Sequence, residues 1–398
     1  MRLVCPTCDG SAVSEPGFCT RCGGPAEFVY DGEPPSRPLG PSLQSTMWRY
    51  AAWLPAARPE GAVSLGEGMT PLVAAADLDG APLLLKDETR NPTGSAKDRA
   101  MSVAFTIARE RGIRRAVLAS TGSAGISAAA YAARAGIECT VLLPEGVPAI
   151  RSSLMALRGA RVLEVTGPFE AILPVLERAA GAGWHHVTTF RRANPFQSEG
   201  PKTIAYELWE QLGGFPDAVM VPIGGGGTLA AIARGFQELA RRHGLDRLPR
   251  MLGVQHERYN ALEIALRRGL STIGEIEALG LPESEPVLTI NLHHAVPPDS
   301  EEALAALRLT GGAVLTVSDA DALAGQARLA AGVGLLAEPS SGVVLPAAAA
   351  ARRLGLLGRD EVCVAILTGS GLRDPLAAPA PARRVSVAEA ADLLGTVG

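Results

Sequence analysis

The sequence predicts an α/β protein built on parallel sheets covered on both faces. Three observations carry the prediction. Strand-like apolar runs alternate with helical patterns from about residue 80 onward, the rhythm of βα units. Alanine is abundant and aromatics make up only 4% of the chain, which suits helices packed tightly on a sheet. The 398 residues, 47% of them hydrophobic, are ample for a large core and suggest two or three structural units.

Taken in order, residues 1–30 are rich in Cys and Gly, and 31–60 read as a Pro-rich extended surface linker. Ala81–Leu85 reads as a buried strand that ends at the charged tetrad Lys86–Thr89. A turn, Asn91-Pro92-Thr93-Gly94, follows. Ser95 stands at an N-cap position, and a helix opens through Ala100, Val103 and Ala104. Next come a strand at Arg115–Ser120, a helix at Ala124–Ala135 and a strand at Glu138–Leu143. A helix at Ala149–Gly159, a strand at Arg161–Val165, a helix at Phe169–Ala182 and a strand at His186–Thr189 continue the series. This stretch is expected to form a small sheet of its own. A helix at Gly200–Leu212 leads to a strand at Ala218–Ile223, a glycine run and a helix at Thr228–Ala240. Met251–Gln255 reads as a strand, 275–300 as irregular, Ser318–Gly332 and Ser341–Arg353 as helices, and Val362–Leu367 as a strand. After an Ala-Pro stretch at 376–383, Ser386 and Glu389 fit a capping box for a last helix, with Val387, Ala391 and Leu394 on one face.

Net charge is −4 and no basic stripe argues for nucleic acid. No apolar run reaches the ~18–20 residues that span a bilayer, and the N-terminus lacks a signal-peptide core. A cytoplasmic protein is expected. Cys5, Cys8, Cys19 and Cys22 form C-x2-C-x10-C-x2-C, two knuckles able to wrap four thiolates around one Zn²⁺. Pro6, Gly10, Gly17, Gly23 and Gly24 supply turns. Two disulfides are the alternative, which a reducing compartment disfavours. Four thiolates leave no open coordination position, so the metal would be structural, holding a unit too small to fold on its own core. Cys139 and Cys363 lie in apolar runs and read as buried and inert.

Chemistry is expected at three strand-to-helix turns. Lys97 falls in a first helical turn, where the dipole disfavours a cation and frees the amine to attack a carbonyl. Taken alone, a lysine there reads more readily as solvated surface; the words around it change that reading. Gly224, Gly225, Gly226 and Gly227, followed by Thr228, let backbone N–H groups approach an anion such as a phosphate, without the spacing of a dinucleotide fingerprint or a P-loop lysine. Ser120, Thr121, Gly122 and Ser123 form a second such turn, suited to a carboxylate or simply to capping. Thr368, at the end of a strand, offers a hydroxyl to a ring nitrogen or merely shapes a turn.

SLGEGMTPL (64–72), KDETRNPTGSAKDR (86–99) and TGSGLRDP (368–375) resemble the signature segments of threonine synthases, within the fold-type II enzymes that use pyridoxal phosphate (PLP). The resemblance spans about residues 60–375. It implies a fold like that of the tryptophan synthase β chain, with a zinc-ribbon-like segment at 1–30, a large PLP-binding α/β domain from 31–102 and 193–398, and a small α/β domain at 103–192. It implies Lys97 as the Schiff-base lysine, the glycine loop for the PLP phosphate, Thr368 for the pyridine nitrogen and the 120–123 turn for the substrate carboxylate. A homodimer acting on an amino acid or phosphoamino acid is expected. For a threonine synthase the reaction converts O-phospho-L-homoserine and water to L-threonine and phosphate. The alternatives are β-elimination or β-replacement on another amino acid, cysteate-synthase-like or dehydratase-like, or a non-catalytic PLP-fold protein. Three positions depart from the family pattern: Ser123 for Asn, Gln197 for Arg in NPFQSEGPKT (194–203), and Ala96 for an aromatic residue. Gln197 cannot offer a charged fork to a phosphate, which leaves Lys202, Arg151, Arg191 and Arg192 as anion partners. All three departures are expected to face one pocket.

Overall fold

A computed structural model describes residues 2–5, 8, 13–14, 18–22, 26–30, 41–77, 79–166, 172–281, 287–374 and 383–393. Four short strands form the N-terminal unit: β1 (Arg2–Val4), β2 (Val13–Ser14), β3 (Phe18–Cys19) and β4 (Glu27–Val29). β1 pairs antiparallel with β4, and β2 with β3. The expected turn residues Pro6, Gly10, Gly17, Gly23 and Gly24 lie outside the described residues, as do 31–40, 376–382 and Leu394.

The remaining strands are β5 (Leu72–Ala76), β6 (Pro82–Asp87), β7 (Arg115–Ala119), β8 (Glu138–Pro144), β9 (Arg161–Val165), β10 (His185–His186), β11 (Ala218–Pro222), β12 (Arg250–His256), β13 (Ala313–Val317) and β14 (Cys363–Leu367). They build two sheets. β10-β7-β8-β9 is wholly parallel and is drawn from residues 115–186, the separate small sheet that the sequence predicts. β13-β12-β11-β14-β6-β5 is parallel except for its antiparallel β5 edge. β11 and β14 are buried along their whole length, because helices cover both faces. Two apolar clusters lie on the two sides of this sheet: one gathers Val219, Val221, Ile232 and Phe236, the other Met220, Leu345, Ala348 and Leu367.

Several expectations are corrected. The chain from 41 to 61 is no extended linker; it folds into short helical turns at Pro41–Gln44, Met47–Trp53 and Pro59–Gly61. Met47 and Trp48 are fully buried, and the Trp48 indole donates to Ser102 Oγ (2.8 Å) and to Glu67 (3.1 Å). Within the 275–300 stretch, the helices Ile273–Glu277 and Ser300–Leu309 bound the irregular part. The last helix spans Val387–Leu393. Glu389 N–H donates to Ser386 Oγ (3.1 Å), whereas the Glu389 carboxylate turns to Arg383. Among the described residues, no helix is long and apolar enough to cross a membrane.

Candidate active site

Three neighbouring parallel strands, β11, β14 and β6, end side by side, and each feeds one part of a cleft. Ligands of open α/β sheets lie outside such carboxyl ends. After β6 the turn Asn91–Gly94 is pinned by Asp98, whose carboxylate accepts from Thr93 N–H (2.7 Å), Thr93 Oγ1 (2.6 Å) and Ser127 Oγ (2.6 Å). Burial pushes the Asp98 carboxyl up to about 6. Gly94 takes a positive φ of 77°, which completes the turn. Ser95 then accepts the Lys97 N–H at its Oγ (3.2 Å), so it serves the helix Lys97–Glu110 as expected, one residue outside the formal cap.

Two hydrogen bonds fasten this segment to the end of β14. Ala96 N–H donates to Thr368 O (3.0 Å) and Ser370 N–H to Gly94 O (2.9 Å). Lys97, the end of β14 and Thr368 are thereby held in fixed relation. The Thr368 hydroxyl meets Ser341 Oγ at 2.9 Å, and Ser341 also accepts Gly369 N–H at 3.0 Å.

The cleft spans about 940 Å³, a figure that includes solvent at its open mouth. Lys97 is part of its lining, mostly buried, with no hydrogen bond or ion pair to its ammonium among the described residues. Burial lowers its pKa against the opposing pull of Asp299 and Glu338. The cause is desolvation first, and not the helix dipole that the position of Lys97 in the sequence suggests. The walls bring in Ser120, Thr121 and Ser123 from the end of β7, Gly224–Thr228 from the end of β11, Thr368, and also Ala96.

At two positions the glycine loop leaves no room for a side chain. A Cβ at Gly224 would fall 2.2 Å from Asn291 O, and one at Gly227 would fall 2.3 Å from Asp299 Oδ2. Gly226 adopts φ 93° and opens the helix Gly227–His243, whose first N–H groups have no intrahelical partner. Such a cradle fits a phosphate monoester, and with an unpaired lysine amine and a strand-end threonine beside it the residues present fit PLP.

Other predicted residues have different partners. Ser120 Oγ accepts the N–H groups of Gly122 (3.0 Å) and Gly125 (2.9 Å), which is capping. Gly122 does not line the cleft; a Cβ there would strike the Arg151 side chain. Ser123 Oγ accepts from Arg373 (3.1 Å), which also pairs with Glu338 (3.0 Å). Gln197 is buried and does not line the cleft. Lys202 is buried as well, held by Glu199 (2.5 Å) and Glu238 (3.0 Å) under the Tyr30 ring. Two of the three departures, Ala96 and Ser123, therefore share the pocket, and Gln197 does not. Arg151 is committed to Asp374 (2.7 Å) and Thr121 O (2.8 Å), and Arg191 to Glu302 (2.6 Å) and Ala26 O (2.6 Å). Arg192 lies at the surface, 3.7 Å from Glu301.

Sequence reasoning missed Glu338, Asn291 and His294, which also line the cleft. Burial lowers the His294 imidazole to about 4 and raises the Glu338 carboxyl. None sits in a motif; only the sheet order brings them to the loop.

Residues 63–369 match the family described as pyridoxal-phosphate dependent enzyme. The chain belongs to that family. It is 35% identical to a threonine synthase of Methanocaldococcus jannaschii, over 92% of this chain and 91% of the relative. It is 36% identical to a threonine synthase of Mycobacterium tuberculosis, over 79% and 84% respectively. In fold it resembles a PLP-dependent aspartate racemase (TM-score 0.63, 22% identity, 76% of this chain and 90% of that one). It also resembles threonine deaminase isoform 2 from Solanum lycopersicum (TM-score 0.61, 20% identity, 76% and 83%). The protein is thus a PLP-dependent, threonine-synthase-like lyase of the fold-type II architecture.

The four N-terminal cysteines converge. Their sulfurs all lie within 4.8 Å of one another, with Cys5–Cys22 and Cys8–Cys19 each at 3.4 Å. None of the four is joined in a disulfide. Those spacings are far beyond a disulfide and near the edge of a tetrahedron around Zn²⁺ with ~2.3 Å bonds. Backbone N–H groups of Cys22 and Arg21 lower the Cys19 pKa, favouring the thiolate that a metal needs. Cys139 and Cys363 are buried, and burial pushes both thiols up to about 12.

Proposed function

We propose that this enzyme converts O-phospho-L-homoserine and water to L-threonine and phosphate. The observation that carries the reading is Lys97, an unpaired amine placed between a glycine phosphate cradle and a strand-end threonine. Lys97 would hold PLP, the loop Gly224–Thr228 its phosphate, and Thr368 its ring nitrogen. Bound PLP supplies an electron sink for a carbanion at the substrate Cα. Lys97 Nζ would take the Cα proton and then one from Cβ; as phosphate leaves Cγ that carbon gains a proton, water adds its hydroxyl at Cβ, and a proton returns to Cα. Its lowered pKa suits that work, since a base is most effective with a pKa near the operating pH. A neutral Thr368 hydroxyl facing the ring nitrogen would leave it largely unprotonated, unlike a carboxylate partner. The turn Ser120–Ser123 orients the substrate carboxylate at the start of the helix Ser123–Ala135.

A second reading is favoured by Ser123, whose hydroxyl is already engaged by Arg373, and by the small Ala96 beside Lys97. It takes a different amino acid through β-elimination or β-replacement. Steady-state kinetics on O-phosphohomoserine and a panel of serine, threonine and their phosphates decides between the two. A kcat/KM of ~10⁴ M⁻¹s⁻¹ or more on O-phosphohomoserine supports the first; a value far below that, with a faster alternative substrate, supports the second. The same proposal includes one structural zinc at Cys5, Cys8, Cys19 and Cys22, a homodimer, and the two α/β domains divided near 102 and 192.

A further inference from the structure

The segment 291–303 packs along the outer side of the glycine loop and brings a carboxyl group against it. Asp299 is 4% exposed. Its N–H donates to Gly225 O (2.8 Å), and its Oδ1 accepts Arg191 N–H (2.9 Å). The other oxygen, Oδ2, is buried without a partner. It is also the atom that a Cβ on Gly227 would meet at 2.3 Å, so it lies against the first residue of the helix Gly227–His243. Gly226 is covered by the Asp299 carbonyl in the same way, 3.0 Å from a would-be Cβ. The glycine loop is therefore backed by a carboxyl group from outside the cleft lining, and that carboxyl uses only one of its two oxygens.

A carboxylate and a phosphate dianion that share one helix N-terminus repel each other, and the pair relieves the repulsion by holding a proton. We propose that Asp299 links the glycine loop to protons: its carboxyl keeps its proton to higher pH when the phosphate monoester of PLP is seated at Gly224–Thr228, and ionises at lower pH without it. The inference rests on the reading that this loop holds the cofactor phosphate. Protonation removes the negative charge of the carboxyl and with it the repulsion. Burial already raises the empty-site carboxyl to about 7. Glu302, on the same helix, pushes it further up, while Arg191 and Lys97 pull it down. A second negative charge in the loop adds to the upward push.

The sign follows from linkage. Below the Asp299 pKa the proton is already present and binding is independent of it. Above that pKa each binding event takes up a proton, so the Kd weakens by up to about tenfold per pH unit. The test is PLP titration of the full-length apoprotein from pH 6 to 9, wild type against Asp299→Asn, with pyridoxal as the ligand that lacks the phosphate. Asn keeps the acceptor for Arg191 N–H and presents a permanent donor in place of Oδ2. The expected result is a wild-type to Asp299→Asn ratio of Kd for PLP that climbs above pH 7 more steeply than the same ratio for pyridoxal. Asp299→Asn also removes the pull of that carboxylate on Lys97; pyridoxal, which meets Lys97 but lacks the phosphate, reports that shared part, so the excess for PLP isolates the coupling to the phosphate. A ratio flat for PLP overturns the inference while leaving the cofactor assignment intact; an equal climb with pyridoxal overturns it too, by placing the effect at Lys97. Failure of both proteins to bind PLP overturns the inference together with the proposed function. Calorimetry in two buffers at pH 8 needs no variant: PLP binding to wild type should take up more protons than pyridoxal binding, by up to one, and equal uptake contradicts the linkage.

Discussion

Two lysines of one short segment, Lys86 and Lys97, meet opposite fates. Lys86 is fully buried, and its ammonium donates to Glu207 (2.6 Å), Thr70 O (2.7 Å) and Gln211 (2.9 Å). Around it Arg99 joins Glu88 (2.7 Å) to Glu207 (2.5 Å), all with 0% exposed side chains. Burial lowers the pKa of both lysines, but Glu207 opposes the effect at Lys86 through direct contact. Lys97 has no such contact and opens on the cleft. A buried charge whose bonds are all made is structure; one left unpaired in a cavity is available for chemistry. The paired cluster also fixes the unpaired lysine, since Arg99 and Lys97 share the first turn of one helix.

The comparison predicts separable losses. Lys97→Ala should reduce kcat by ~10³-fold or more, the scale of removing a positioned acid–base group, while thermal unfolding changes little. Arg99→Met should do the reverse. It leaves Glu88 and Glu207 uncompensated and costs about 3–5 kcal/mol of stability, read by denaturant unfolding. If Arg99→Met unfolds like wild type, the cluster is not structural.

The acid limb sharpens the contrast. The charges of Arg99 and Lys86 outweigh burial and depress the Glu207 carboxyl to about 2. A group with a depressed folded pKa contributes stability above its unfolded value, near 4.5, and loses it as pH falls toward 2. Glu207→Gln should lack that part of the acid transition. Unfolding midpoints between pH 5 and 2 measure it.

A smaller effect is expected at the loop. Gly224→Ala drives a Cβ into Asn291 O and should raise the PLP Kd by about tenfold, at ~1–3 kcal/mol for such overpacking. Gly214→Ala, where a Cβ meets nothing within 4 Å, is the control. Smallest for turnover is Cys5→Ser. It should remove the metal found by elemental analysis and loosen the N-terminal unit, with kcat nearly unchanged.

Much of this was legible in the sequence, for identifiable reasons. Strands such as β9 and β14 stood out because apolar runs between turn residues have few other uses. Lys97, the glycine loop and Thr368 were legible because each is a local strand-to-turn word. Lys202 and Gln197 were misplaced because their neighbours, Glu238 among them, come from distant elements that no local pattern announces. Asp299 was invisible for the same reason: its meaning depends on lying against Gly227, 72 residues earlier in the chain. The helical turns at 47–53 were hidden by their prolines and polar neighbours, while their stability comes from contacts such as Trp48 with Ser102.

The central claim, that Lys97 and not its buried neighbour carries the chemistry, has a direct measurement. PLP-loaded protein is reduced with borohydride, digested and mapped by mass. The expected result is one pyridoxyl group per chain, on Lys97, with Lys86 and Lys202 unlabelled because their ammonium groups are fully bonded. A label on either of those two, or no label on a protein that binds PLP, would contradict it.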